Sequence, residues 1–147
     1  MAEQNHMQVI FDAKSVNESL ARMVVTAFMT DMNPTLEQIS DVKTAVSEAV
    51  TNAIIHGYVN ENREDLVELC CDREGQQLIV TVEDHGVGIA DVEQARNPFY
   101  TTKPELERSG MGFTFMEAFM DKVEVCSQLG VGTKVVMWKY IERDSEK

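Results

Sequence analysis

The sequence predicts an α+β fold, a two-layer α/β sandwich in which helices cover one face of a mixed, mostly antiparallel sheet. Three observations carry that expectation. The chain has 147 residues, enough for one domain with a real core. Its short alternating segments are joined by hairpin signals, which make neighbouring strands antiparallel. Periodic segments then follow in the order β-α-α-β-β-loop-α-β-β, giving about five strands and three helices.

Each element has its own justification. Residues 6–13, HMQVIFDA, alternate and place Met7, Val9 and Phe11 on one face of a strand. Ser15 and Glu18 have the S-x-x-E spacing of a capping box and open a helix running to about Met32. Val16, Leu20, Met23, Val24, Ala27 and Phe28 read as its core stripe. Glu18, Arg22, Val25 and Met29 form a second line at i, i+4, i+7 and i+11. Apolar residues off a core face mark interaction surfaces, so this line is expected to contact a protein partner, with Arg22 reaching an acidic group.

Asn33-Pro34 breaks the chain, and a second helix runs from about Leu36 to His56, with Gly57 as its C-terminal stop. Val42, Val46, Ala49, Val50, Ala53 and Ile54 are its buried face. Leu66–Asp72 and residues 77–83 are strands turned by Arg73-Glu74-Gly75. Residues 89–111 hold Pro98 and Pro104 and no steady periodicity, so a lid is expected over about 91–111. Phe113–Asp121 is helical, and Lys122–Gln128 and Thr133–Ile141 are strands joined by Gly130-Val131-Gly132. The tail, residues 142–147, is expected to fray. With no repeat or linker, residues 1–147 make one domain.

Composition narrows the function. A net charge of −12 disfavours non-specific nucleic-acid or anionic-membrane binding, both of which need a basic surface. Cys70, Cys71 and Cys126 lack C-x-x-C spacing and read as free thiols of a reducing, cytoplasmic setting. The N-terminus lacks the pattern of a secretory signal, and no apolar run is long enough for a membrane span.

Four stretches are candidates for chemistry. On the second helix, Glu48, Asn52 and His56 recur every four residues and flank the buried face. A carboxylate on a cleft wall can act as a general base, and an amide oxygen one turn away can ligate Mg²⁺. A solvated polar face has the same pattern, and His56 fits a structural helix end. In EDHGVGI, Asp84 ends a strand, and Gly86 and Gly88 let backbone approach a ligand closely. That Asp can accept from an exocyclic amine such as that of adenine, or bond locally in a plain turn. Gly110 and Gly112 precede a helix whose free N–H groups favour an anion, near the cations Lys103 and Arg108. Thr133 opens a strand after a glycine turn, where a hairpin alone explains it.

Taken together, Glu48-x-x-x-Asn52, Asp84-x-Gly86-x-Gly88, a lid, Gly110-x-Gly112 and Gly132-Thr133 resemble the GHKL ATP-binding (Bergerat) superfamily, which includes gyrase B, MutL and histidine-kinase catalytic domains. SEAVTNAIIHGY, DHGVGI and FYTTKPELERSGMGF look most like the anti-sigma-F serine kinases of spore-forming bacteria, over roughly residues 5–140. The resemblance implies an ATP-dependent protein serine/threonine kinase that binds and inhibits a sporulation sigma factor and phosphorylates its STAS-type anti-anti-sigma antagonist on a serine. It implies ATP/ADP and Mg²⁺ as cofactors, and a homodimer. Glu48 would be the catalytic base, Asn52 the Mg²⁺ ligand and Asp84 the adenine acceptor, with Gly86, Gly88 and Thr133 shaping that pocket. Thr101, Thr102, Lys103 and Arg108, with Ser109, Gly110, Met111 and Gly112, would bind ATP from the lid. A general-stress-type anti-sigma serine kinase, a histidine-kinase catalytic domain, and a nucleotide-gated module without transfer remain the alternatives. A histidine kinase needs a dimerisation hairpin bearing a phosphoacceptor, and none of His6, His56 and His85 lies on one.

Overall fold

The computed structural model describes residues 3–57, 65–89, 91–92 and 112–143. Its elements are β1 (Gln4–Asp12), α1 (Asn17–Met29), a 3₁₀ turn (Thr30–Met32), α2 (Leu36–Asn52), a π-helical turn (Ala53–Gly57), β2 (Leu66–Glu74), β3 (Gln77–Asp84), α3 (Gly112–Phe119), β4 (Lys122–Gln128) and β5 (Gly132–Tyr140). The lid expected over about 91–111 lies outside the described residues except at Asp91 and Val92, as do residues 144–147 of the tail.

Hairpins fix two of the four pairings of the sheet, β2–β3 and β4–β5. The order is β1-β2-β3-β5-β4, and all four pairings are antiparallel. Side chains alternate along each strand, and β2 and β3 show it as near-perfect inside-outside alternation. Val67, Leu69 and Cys71, Leu78, Val80 and Val82, and Val135 and Met137 face inward. Burial pushes the Cys71 thiol up to about 12, so it is an inert core side chain. Ala45, Val46, Ala49 and Val50 of α2 share this core, with α1 and α3 packed beside α2.

Local chemistry sets the helix ends. Asn33 takes a left-handed conformation, φ 57°, and ends the first helical segment. Thr35 then caps α2 in a complete capping box: its hydroxyl accepts from the Gln38 N–H (3.1 Å), and the Gln38 side chain accepts from the Thr35 N–H (3.1 Å).

The structure corrects three local expectations. First, α1 turns a different face inward. Ala21, Val25 and Met29 are fully buried, whereas Val16 is 75% and Met23 71% exposed, and Leu20 and Ala27 are also exposed; of the expected stripe only Val24 and Phe28 pack against the core, and those partly. Val25 and Met29 are therefore core residues and cannot contact a partner. Of the same line, Glu18 bonds the Ser47 hydroxyl on α2 and pairs with Arg22, whose Nε lies 3.4 Å away. Second, no side chain caps α1; Glu18 is drawn to α2, and its N–H meets only the Ser15 carbonyl. Third, Arg73 is not a turn residue but ends the inward row of β2, only 4% exposed. Its guanidinium meets Glu3 (3.1 Å), Asp31 (3.2 Å), the Gly75 carbonyl (2.8 Å) and Gln76 (3.0 Å). A buried cation persists only with such a full set of partners.

The orientation of α1 is directly testable. Met29→Ala should lower the unfolding free energy by about 3 kcal/mol through the cavity it leaves. Met23→Ala should stay within about 0.5 kcal/mol of the parent. Urea unfolding followed by circular dichroism reads both, and the reverse ranking would restore the sequence-based face.

Candidate functional site

The site is built where α2 meets the ends of β3 and β5. Glu48 and Asn52 lie one turn apart on α2, both half-buried beside the buried Ala49 and Val50. Asn52 is the last α-helical residue; the next five, Ala53–Gly57, form the π-helical turn, which packs on β3 and β5. π-helical turns are rare and recur at functional sites, where the widened turn re-aims neighbouring side chains. His56 lies within this turn, at the helix end as expected.

Gly112 opens α3 directly against the Asn52 side chain. A Cβ on Gly112 would stand 2.8 Å from Asn52 Nδ2 and 3.2 Å from Oδ1, closer than packing tolerates. A side chain at this helix start would therefore have to push the Asn52 amide aside. The structure thus joins two motifs sixty residues apart in the chain.

Asp84 ends β3 in the inward-facing row and is only 4% exposed. Burial pushes its carboxyl above the usual carboxylate range, while the backbone N–H groups of Gly86 and Thr133 pull it back. The Gly86 bond to Oδ1 is 2.9 Å. Thr133 is the direct register partner of Asp84 on β5. A buried carboxylate held by only these donors retains lone pairs for an amino group.

Glycines let the surrounding backbones touch. Gly132 has φ 138°, and a Cβ there would collide with the Asp84 carbonyl and approach His85 Cα to 2.8 Å. Gly88 has φ 78° and lies equally close to the Gln128 carbonyl group. The Gly130 N–H donates to the Val87 carbonyl (2.9 Å), fastening the 85–89 loop to the β4–β5 hairpin.

Ser127 completes this floor, and sequence reasoning missed it. Its hydroxyl accepts from the Ile89 N–H (2.7 Å), donates to the Gly132 carbonyl (3.1 Å) and lies 2.8 Å from the Thr133 hydroxyl. Ser127 has one proton to give, so Thr133 is the donor between the two hydroxyls. A lone Ser in a polar edge strand carries no pattern that would have singled it out.

Of the residues expected from sequence, the structure gathers Glu48 with Asn52 and Gly112 on the helix side. It gathers Asp84, Gly86, Gly88 and Thr133 at the strand ends. Thr101, Thr102, Lys103, Arg108, Ser109, Gly110 and Met111 lie outside the described residues. Glu18, Arg22, Val25 and Met29 belong to α1 and are not part of this constellation.

Comparison with known proteins shows the family and the fold. A family model described as a histidine kinase-like ATPase domain matches residues 11–139. The anti-sigma F factor of Clostridium kluyveri is 54% identical over 135 residues, covering 92% of this chain and 94% of that protein. The anti-sigma F factor of Anoxybacillus flavithermus is 51% identical, covering 95% of each. Among solved structures, the RsbU and RsbW domains of Rv1364c from Mycobacterium tuberculosis superpose with a TM-score of 0.70 at 17% identity, covering 95% of this chain and 33% of that one. The nucleotide-free catalytic domain of histidine kinase ThkA superposes at 0.57 with 16% identity, covering 92% and 96%. At those identities the two structures speak for the fold alone.

Two glycines of the same hairpin separate close contact from backbone strain. Gly130 also has φ 78°, but a Cβ there would meet nothing within 4 Å, whereas one on Gly132 meets Asp84. Gly130→Ala is expected to cost about 1 kcal/mol. Gly132→Ala, which must also displace the β3 end, is expected to cost about 3 kcal/mol. Equal midpoints in chemical denaturation would refute the claim that contact with Asp84 matters.

Proposed function

Because the chain belongs to the histidine kinase-like ATPase family and, within it, to the anti-sigma F factors, we propose that it binds and inhibits a sporulation sigma factor. As a serine kinase, it phosphorylates a STAS-type anti-anti-sigma protein with Mg-ATP. The observation that carries the kinase reading is Glu48, one helical turn or about 6 Å along the axis from Asn52, whose amide abuts Gly112.

The residues fit a purine nucleotide. Asp84 offers a buried carboxylate with spare acceptor capacity, and glycines keep its surroundings free of side chains. ATP held there supplies the phosphoryl group, and Mg²⁺ neutralises the charge of its phosphates. Asp84 accepts from the adenine amino group, and Thr133, oriented by Ser127, supports it. The Asn52 amide oxygen holds Mg²⁺ as a hard-cation ligand. Glu48 takes the proton of the attacking serine hydroxyl, a task that needs a carboxylate in reach and little more. The lid, with Thr101, Thr102, Lys103, Arg108, Ser109, Gly110 and Met111, supplies cations and backbone donors to the phosphates.

Partner binding falls to the outward side of α1. Arg22 is partly accessible at the edge of α1 toward α2, where it pairs with Glu18, and the exposed Leu20 and Met23 lie on the outward side. This face serves the sigma factor, the antagonist or a second copy in a homodimer. Arg22→Glu is expected to weaken partner binding or self-association; a variant unchanged in both would remove Arg22 from the interface.

One experiment separates the readings. Incubation with Mg-ATP and a candidate antagonist, followed by intact mass measurement, should add one phosphate to a serine of the antagonist. Glu48→Gln should retain ATP binding and lose that transfer. Full transfer by the variant would exclude Glu48 as the base. Binding without transfer in the wild type would support a nucleotide-gated module instead.

Nucleotide binding should also depend on pH. The adenine amine needs an ionised acceptor, and burial raises the Asp84 pKa. Affinity for ADP is therefore expected to fall as pH drops, beginning at a higher pH than an ordinary carboxylate would give. Asp84→Asn should bind at least about tenfold more weakly, from the loss of a charged hydrogen bond. Its residual binding should lose that pH dependence, and calorimetric titration across the acid range checks both.

A further inference from the structure

The uncovered face of the sheet carries a second constellation, independent of the nucleotide reading. Glu68 on β2 and Glu83 on β3 are direct register partners. Both are half-buried on the outward face, since the inward face takes Val67, Leu69, Val82 and Asp84. Like charges placed directly opposite across a strand pair are destabilising. The sheet nevertheless holds these two carboxylates together, and His85 joins them with Nε2 3.9 Å from Glu68 Oε1.

We propose that Glu68, Glu83 and His85 form a binding site for a divalent transition-metal ion of the Zn²⁺ class. One donor atom from each lies within 4.8 Å of the other two, the one such grouping of His, Cys, Asp and Glu among the described residues. Donors sharing one Zn²⁺ stand at most about 4.2 Å apart, twice a bond of roughly 2.1 Å. Binding therefore requires the donor atoms to draw together by about 0.6 Å. An imidazole with two carboxylates suits Zn²⁺, Mn²⁺ or Fe²⁺ better than Mg²⁺ or Ca²⁺, which prefer all-oxygen sets. A +2 ion cancels the paired carboxylates in a way the single charge of Lys134, the β5 partner of Glu83, does not.

The surroundings give the ion room. A depression of about 290 Å³ at this end of the sheet is lined by Glu83, His85, Cys126 and Lys134 among others. Glu68 does not line it, so the depression opens beside the Glu83 and His85 side of the cluster. Two of the three ligands flank Asp84 in sequence, so an ion there ties β2 to both neighbours of the buried carboxylate.

Zn²⁺ titration of the full chain, nucleotide-free and in excess Mg²⁺, tests the site by calorimetry and thermal unfolding. The wild type should bind one Zn²⁺ and melt at a higher temperature with it. Glu83→Gln, Glu68→Gln and His85→Ala should each weaken binding at least about tenfold and lose the thermal shift. Asp72→Asn, which removes the carboxylate 2.6 Å from His6 on the same face, should leave binding unchanged. Circular dichroism and ADP affinity confirm that each variant is folded. Wild-type affinity in all three ligand variants, or no wild-type binding below roughly 100 µM Zn²⁺, would overturn the proposal.

Discussion

Five antiparallel strands with helices on only one side impose a single rule on the molecule: every strand must alternate. The rule follows from backbone geometry, because a strand points successive side chains to opposite faces. It decides what Asp84 is. Ending the inward row of β3, the carboxylate enters the core behind Val80 and Val82, and burial strengthens any bond it makes to a bound amine. The same rule sends its neighbours Glu83 and His85 outward, to water. A one-residue slip of β3 against β5 would exchange these roles and leave an unpaired glutamate in the core.

The register is in turn fixed at both ends of the sheet. At one end, Gly132 and Gly88 allow backbones to touch, and Ser127 ties three strand-end groups through one hydroxyl. At the other, Arg73 gathers Glu3, Asp31, Gly75 and Gln76, so the first strand, the first helical segment and the β2–β3 turn share one cation. Between these clamps, α2 supplies small and branched residues that fit closely over the strands. Glu48 and Asn52 are carried on a helix rather than a loop, which holds them one turn apart on a packed element.

Much of this is legible in the chain. The hairpin signals give the strand order along the sequence, and the Glu48–Asn52 and Asp84–Gly88 spacings locate both walls of the site. The α1 face is not legible, for a physical reason. Its apolar residues form two helical stripes, Val16-Leu20-Met23-Val24-Ala27-Phe28 and Ala21-Val25-Met29, both with i, i+3 or i+4 steps, so periodicity cannot choose between them. The choice is tertiary: α1 packs beside α2, Ala21 enters the core, and Glu18 reaches Ser47. Arg73 reads as a turn residue because a cation is rarely buried, and only partners scattered along the chain permit it. Ser127 is invisible in the sequence because its importance lies in three bonds to other segments.

The apolar stripe left on the outside of α1 gives the chain an unusual colloidal character. Val16, Leu20 and Met23 offer copies of the molecule a short-range attraction, while the net charge of −12 repels them at longer range. The balance is set by ionic strength. In dilute salt the repulsion reaches about 30 Å and holds the stripes apart; near physiological salt it decays within about 8 Å. The acidity of this chain therefore keeps copies bearing an exposed apolar stripe apart when salt is dilute.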